Sequence, residues 1–369
     1  MKPWEPQVFA PYPEQPGLLF ARVAARSASF EGTSAAGGAP VLVGSAAGCD
    51  RAQVALGARG ELLERLGNVV AGREAEAAAE TVGTRKELRR RGIPALDPEL
   101  RTEARRLWVR GRTIRGAEVF VPAGSAFLQH RPPVGCDAPE SAGSTGIAAH
   151  PDPASAARHA AWEVLERDLV RRSWYGITDR PPRLVPLVPA TPLAECLRAQ
   201  GLAATAFTVP APAGTACAVV CLHRPDGTGQ AFGARCGPAD TLEALLEKAA
   251  YEAVMVRWSM RTQVARQAWD QWRGADPPAT AVQHALWTYH VQDSLRLWGV
   301  RPAVDDRSAT GVRTDPLEIL AEHTGRDVVL VETTSAPARD AGVHVVRVLA
   351  PGALPLPSGG GPGHPHPFG

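Results

Sequence analysis

Two spacings of apolar residues run through this chain, and the change from one to the other marks its elements. Short runs rich in β-branched and other apolar residues predict strands at 18–23, 40–43, 119–121, 126–128, 204–209, 216–222, 327–332 and 343–349, with 216–222 the best candidate for a fully buried one. Between them lie three helical stretches. The first begins near Asp50 and reaches about Val70, with Leu62, Leu63, Leu66, Val69 and Val70 on one side and Glu61, Glu64, Arg65 and Asn68 on the other. The second has Asp152 as N-cap, Pro153 at the first helical position, and Gly176 to stop it after Trp174 and Tyr175. The third starts at Asp240, which has capping-box spacing to Glu243, and continues past Arg257. The charged, arginine-rich stretch 72–116 is expected to be helical in part and otherwise surface.

Within the helices one short pattern repeats. Glu61-Leu62-Leu63-Glu64-Arg65 returns 102 residues later as Glu163-Val164-Leu165-Glu166-Arg167. Residues three and four apart share a helix face, so each copy presents two carboxylates and a guanidinium together. Such i,i+4 Glu–Arg pairs support any exposed helix by roughly 0.2–0.5 kcal/mol, and one copy alone signals no more than that. Two copies brought together make an anionic cleft edged by arginine, which divalent cations would neutralise and whose arginines suit phosphate oxygens. Glu252, on the apolar face of the third helix with Leu245, Ala249 and Val256, needs a partner, either a buried arginine or the same cation site.

Composition narrows the rest. At 369 residues, 44% hydrophobic and 21% charged, the chain has room for two or three ordinary domains or one large duplicated one. A formal charge of +2 gives no polybasic signature, so nucleic acid is not the expected partner. Lys2, Lys86 and Lys248 are the only lysines, and none has the GxxxxGK[ST] context of a P-loop. Cys49, Cys136, Cys196, Cys217, Cys221 and Cys236 form no CxxC pair and read as reduced, mostly core thiols. The absence of a signal h-region or an apolar run of membrane-spanning length predicts a cytoplasmic protein without membrane association.

Taken in order, the segments resemble a YcaO domain, the ATP-dependent family that activates backbone amides in ribosomally made peptides. The segment Gly44-Ser45-Ala46-Ala47-Gly48 leading to Glu61–Arg65 is similar to its first ExxER region. Ser144-Thr145-Gly146-Ile147-Ala148-Ala149-His150, followed by Glu163–Arg167 and Asp168, is similar to the SNGLAAG turn and second ExxER helix. Ala249-Ala250-Tyr251-Glu252 with Arg257 resembles the third characteristic helix, and the run from Val345 to Gly352 the C-terminal strand and turn. The closing Pro365-His366-Pro367-Phe368-Gly369 is close to the PxPxP ending of azoline-forming members. Departures are Gly57 and His159 where the family has serine four residues before each ExxER glutamate, Met255 for a glutamine, and Gly369 for the last proline.

The resemblance implies an α+β fold with an internal pseudo-repeat, β-sheets packed with helices, and ATP on Mg²⁺ between the repeats. It divides the chain into an N-terminal segment (1–38), a catalytic domain (39–352) and a Pro/Gly-rich tail (353–369). It assigns Glu61, Glu64, Glu163, Glu166 and Glu252 to Mg²⁺, and Arg65 and Arg167, with Glu61, Glu163 and Ser144, to the nucleotide. A purely structural turn serine is an equal reading of Ser144. Pro365, Pro367 and the Gly369 carboxylate would order the peptide-side wall, although a frayed tail is the usual fate of such a terminus. The implied reaction is cyclodehydration of Cys, Ser or Thr in a precursor peptide to an azoline. The alternatives are thioamide or macroamidine formation at the same site, or a catalytically silent peptide-binding scaffold. Implied partners are the precursor peptide, an E1-like or leader-recognition protein that delivers it, and a flavin-dependent azoline dehydrogenase.

Overall fold

The computed structural model describes residues 4–27, 30, 40–97, 103–137, 143–273, 276–302, 315–356 and 364–368. The elements along the chain begin with β1 (Gln7–Phe9), β2 (Leu19–Arg26), β3 (Val41–Gly48), α1 (Arg51–Ala78), β4 (Val82–Gly83), α2 (Arg85–Arg90), β5 (Arg106–Thr113), β6 (Glu118–Pro122) and α3 (Ala123–Ala126). They continue with β7 (Ile147–His150), α4 (Pro153–Trp174), β8 (Arg183–Leu184), α5 (Thr191–Ala199), β9 (Ala203–Val209), β10 (Thr215–His223), β11 (Ala231–Pro238) and α6 (Leu242–Met260). The last are α7 (Gln263–Trp272), α8 (Ala281–His290), α9 (Ser294–Trp298), α10 (Pro316–Thr324), β12 (Val329–Glu332), α11 (Ala336–Asp340) and β13 (His344–Leu349).

Three sheets organise these elements. One has three strands in the order β1-β2-β3, one has four in the order β11-β10-β9-β8, and one runs β4-β5-β12-β13-β7 with β6 added against β5. Helix α1 packs on β2 and β3, where Val54, Ala58, Leu62, Leu66 and Val69 meet Ala21, Val23 and Leu42. Helix α6 covers the four-stranded sheet on one face, through Leu245, Leu246, Ala249, Ala253 and Val254. Helix α4 lies between sheets: Val164, Leu165 and Leu169 share a core with Phe207, Val219 and Phe232, while Ala156 and Ala157 meet Val346. Its alanines let strands approach on two sides, which explains why α4 lacks one clean apolar stripe.

Strands lie within every stretch predicted to be one except 126–128. Helix α4 has the expected boundaries, with the Asp152 side chain accepting from Ser155 N–H at 2.7 Å and Gly176 beyond the end at φ +65°. Four of the six cysteines are buried and all six are free. Three expectations need correction. Residues 126–128 are not a strand but the end of α3 and the turn after it. Buried Asn68 of α1 donates to Ala126 O at 2.9 Å and accepts from Leu128 N–H at 2.7 Å, so a side chain takes the backbone groups a ladder would have used. The Asp240/Glu243 capping box does not form. Residues 239–241 make a 3₁₀ turn tied to Gly214 O, and α6 starts at Leu242 with no side-chain cap. Helix α1 runs eight residues beyond Val70 to Ala78, where buried Gly72 and part-buried Ala71 and Ala75 keep it packed on the core around Phe127.

Candidate active site

The five glutamates singled out in the sequence come from three helices: Glu61 and Glu64 on α1, Glu163 and Glu166 on α4, and Glu252 on α6. Four of them are held by the backbone of a neighbouring strand or turn. Glu61 Oε2 accepts from Ser45 N–H at 2.5 Å, Glu163 Oε2 from Gly146 N–H at 3.0 Å, Glu252 Oε2 from Ala234 N–H at 3.3 Å, and Glu166 Oε2 from Cys236 N–H at 3.2 Å. Each therefore spends one oxygen on the fold and turns the other toward the arginines.

Glycine makes the close approach possible. A Cβ on Gly44, the residue before Ser45, would collide with Ala58 O and Leu62 N of α1. A Cβ on Gly233, the residue before Ala234, would collide with Ala249 O and Ala253 N of α6. The same arrangement thus occurs twice, with a strand glycine pressed on a helix and the next N–H bonding a glutamate three residues further along that helix. Gly146 reaches Glu163 differently, from a turn at φ +82° wedged between Val164 and Val348 O. The sequence repeat pairs α1 with α4, whereas this structural match pairs α1 with α6.

Arginines lie among the carboxylates. Arg65 bridges to Glu61 Oε1 at 2.5 Å and donates to Val43 O at 2.7 Å. Arg167 stands 3.5 Å from Glu166 Oε1 and 3.9 Å from both Glu163 Oε1 and Glu252 Oε1. Two further arginines belong to the cluster and were missed as site residues by sequence reasoning. Arg235 of β11 is 3.3 Å from Glu252 Oε2 and 3.8 Å from Glu166 Oε2. Buried Arg347 of β13 donates to Gly143 O at 2.8 Å and lies in the field of Glu163 and Glu64. The available signal was a lone charge inside an apolar strand, as in Val345-Val346-Arg347-Val348.

The electrostatics are those of a site short of positive charge at specific points. Burial, then the neighbouring Glu163 and Glu61, push the Glu64 carboxyl well above the usual range. Burial also raises Glu166 to about 7, against the opposing pull of Arg167 and Arg235, and Glu252 and Glu163 add to the rise. Glu166 Oε1 is buried with no hydrogen-bond partner. Burial lowers Arg347 to about 10 despite Glu163 and Glu64. Among the described residues no three acidic, histidine or cysteine side chains gather closely enough to hold a metal by themselves. Four of the five carboxylates stand within 4 Å of an arginine nitrogen, while Glu64 lies in the field of Glu163 and Glu61. An oxygen without a donor on Glu166 and a crowded, half-buried Glu64 fit a divalent cation, which would relieve both.

Ser144 is half-buried in the turn before β7, its carbonyl accepting from Ile147 N–H at 3.2 Å. The tail residues Pro365 and Pro367 do not fray. Residues 364–368 fold back onto the core, with Pro367 and Phe368 buried, while Gly369 lies outside the described residues. Elsewhere on α4, Leu169 and Arg172 line a cavity of about 710 Å³ with Arg180, Pro212, Ile319 and His323, and none of the five glutamates borders it. No helix among the described residues is long and apolar enough to cross a membrane.

The profile of the family described as YcaO cyclodehydratase, ATP- and Mg²⁺-binding, matches residues 45–354. No match was found among curated proteins. Solved structures share the fold at low identity. The YcaO protein of Methanopyrus kandleri bound with AMPPCP and Mg²⁺ is 21% identical, with a TM-score of 0.64 over 97% of this chain and 90% of that one. A heterocyclase in complex with substrate and cofactor is 15% identical, with a TM-score of 0.67 over 96% of this chain and 51% of that one, so this chain spans about half its length. The Escherichia coli microcin synthetase McbBCD complex with pro-MccB17 bound is 14% identical, with a TM-score of 0.66 over 100% of this chain and 98% of that one.

Proposed function

The chain belongs to the YcaO cyclodehydratase family, which binds ATP and Mg²⁺, and from that premise we propose that it cyclodehydrates cysteine, or serine and threonine, in a ribosomally made precursor peptide. The observation that carries this reading is the set of glutamates from three helices, four of them fixed by backbone N–H groups with one oxygen left facing the arginines. Glu61, Glu64, Glu163, Glu166 and Glu252 would hold Mg²⁺, and Arg65 and Arg167, joined by Arg235 and Arg347, would meet phosphate oxygens. When bound, ATP and Mg²⁺ supply phosphoryl transfer with its charge neutralised.

The chain's own residues supply position. Backbone-anchored carboxylates do not reorganise as charge develops, and guanidinium forks hold phosphate oxygens in two directions. In the peptide, the side-chain thiol or hydroxyl gives up its proton and adds to the preceding carbonyl carbon. The resulting oxygen receives the γ-phosphoryl group and leaves as phosphate while the amide nitrogen loses its proton, so an azoline, ADP and phosphate result. The precursor would be delivered by a separate E1-like or leader-recognition protein, and a flavin-dependent dehydrogenase would act on the product. That a similar structure is a synthetase complex with pro-MccB17 bound supports a peptide substrate and partner proteins.

The test uses purified protein with MgATP, candidate precursor peptides and a candidate delivery protein. Loss of water from the peptide, with ADP formed, is the expected outcome. An oxygen-to-sulfur exchange would point to thioamide formation, and a fragmentation pattern closing the peptide through an amine would point to a macroamidine. Glu163→Gln and Glu64→Gln should each abolish Mg²⁺-dependent ATP use with an unchanged circular dichroism spectrum. Wild-type turnover in either would falsify the assignment of these carboxylates.

A further inference from the structure

Residues 364–368 are fastened mainly from α8 and the turn into α9, with one longer bond from the end of α4. Gln292 Nε2 donates to Pro365 O at 2.8 Å and to Ser294 Oγ at 3.0 Å. His366 N–H donates to His284 Nδ1 at 3.1 Å, and Phe368 N–H donates to His366 Nδ1 at 3.2 Å. Trp174 Nε1 adds a longer bond to His364 O at 3.3 Å. These bonds seat the Phe368 ring against Phe232 and Trp298, with centroids 5.9 and 6.3 Å apart. Phe232 directly precedes Gly233 and Ala234, whose N–H holds Glu252, so the chain end rests on the strand that anchors the site.

A backbone N–H only donates, so both Nδ1 atoms must offer a lone pair and both imidazoles must be neutral. Protonation at either Nδ1 would set N–H against N–H and break its bond to the chain end. The surroundings of His366 oppose a charge as well. It is fully buried, its Nε2 has no partner, and it faces His284 of α8, Arg171 and Arg167 of α4, and the rings of Trp174, Tyr175 and Phe368.

The geometry points to Gln292 and His284 as positioning residues that clamp residues 364–368 against β11 only while both imidazoles are neutral, so that acidification releases the chain end. That the clamped end borders the peptide's reaction rests on the function proposed above; the clamp itself does not.

Hydrogen–deuterium exchange of residues 364–368, corrected for the intrinsic rate at each pH, tests it. Wild-type protection should be level above about pH 7 and fall by up to about tenfold per pH unit for each imidazole protonated below about pH 6.5. Gln292→Ala should lower protection at every pH. His284→Asn keeps an acceptor without a titrating group, so protection should persist at neutral pH with a shallower acid fall. His284→Phe fills the space without an acceptor and should lose protection. Unchanged protection in Gln292→Ala, or equal protection in the Asn and Phe variants, overturns the clamp. If substitution of buried His284 prevents folding, Gln292→Ala and the wild-type pH series decide.

The positioning role has its own readout. With whichever precursor the wild type turns over, Gln292→Ala should reduce kcat severalfold while the affinity for AMPPCP with Mg²⁺ stays within twofold. A parallel loss of both would make Gln292 a structural residue only. Absence of any wild-type peptide turnover would overturn the proposed reaction and leave the exchange result to stand or fall by itself.

Discussion

Glu166 shows what one buried carboxylate can report. Its Oε2 is bonded to Cys236 N–H, its Oε1 has no donor, and burial raises it to about 7. In the absence of Mg²⁺ the folded protein therefore holds a proton that the unfolded chain releases at lower pH. Stability from this group is fully present below the ordinary glutamate range and is lost as the pH rises through about 7. Glu166→Gln removes that loss. Metal-free wild type and variant should melt at similar temperatures near pH 4.5, and the variant should melt higher at pH 8. Adding Mg²⁺ with AMPPCP should reverse the order, because only the wild type gains a cation on the freed oxygen. Parallel melting curves across pH would show that Glu166 is ionised and satisfied without metal.

At the scale of elements, the site depends on how closely strands are pressed on helices. Gly233→Ala forces β11 away from α6 at the point where Ala234 holds Glu252, and overpacking of this kind costs about 1–3 kcal/mol. Chemical denaturation should show that loss, and calorimetry should show weaker binding of AMPPCP with Mg²⁺. Equal stability would mean that the strand has slack to move. Helix α1 carries the opposite case at its far end. Its C-cap Ala79 sits at φ 42° and ψ 38°, a left-handed conformation that strains a residue with a Cβ. Ala79→Gly should stabilise the protein by about 0.5–1 kcal/mol, after allowance for the greater freedom of glycine in the unfolded chain. An unchanged or lower melting temperature would refute that account.

For the whole molecule, the C-terminal segment and the nucleotide site meet on β11 but are held by different hydrogen bonds. The carboxylates are bonded by β3, β11 and the turn before β7, while residues 364–368 are bonded by α8, the α8–α9 turn and Trp174 and only pack on β11, through Phe232. Deleting residues 365–369 should therefore suppress peptide cyclisation strongly and leave nucleotide affinity largely in place. Full cyclisation by the truncated protein, with its delivery partner present, would show that the segment only packs. Loss of nucleotide affinity would show that packing of the segment on Phe232 also holds the nucleotide site in place.

What the sequence determined by itself was local. Helix α4 was legible to the residue because an Asp N-cap, a proline and a left-handed glycine act within a few positions, and ExxER spacing put each pair of glutamates on one face through the helical repeat alone. The three-sheet arrangement, β5 and β11 as core strands, and the place of Arg235 and Arg347 in the site were decided only by tertiary structure. Their partners lie far away in the chain: Cys236 N–H meets Glu166 across 70 residues, and Arg347 meets Gly143 O across 204. Asn68 makes the same point. Its helix spacing placed it correctly on the side of α1 opposite the leucines, but the approach of residues 126–128 buried it there and turned a predicted strand into a side-chain-capped turn. Local chain geometry fixes which residues share a face, and long-range packing decides what that face meets.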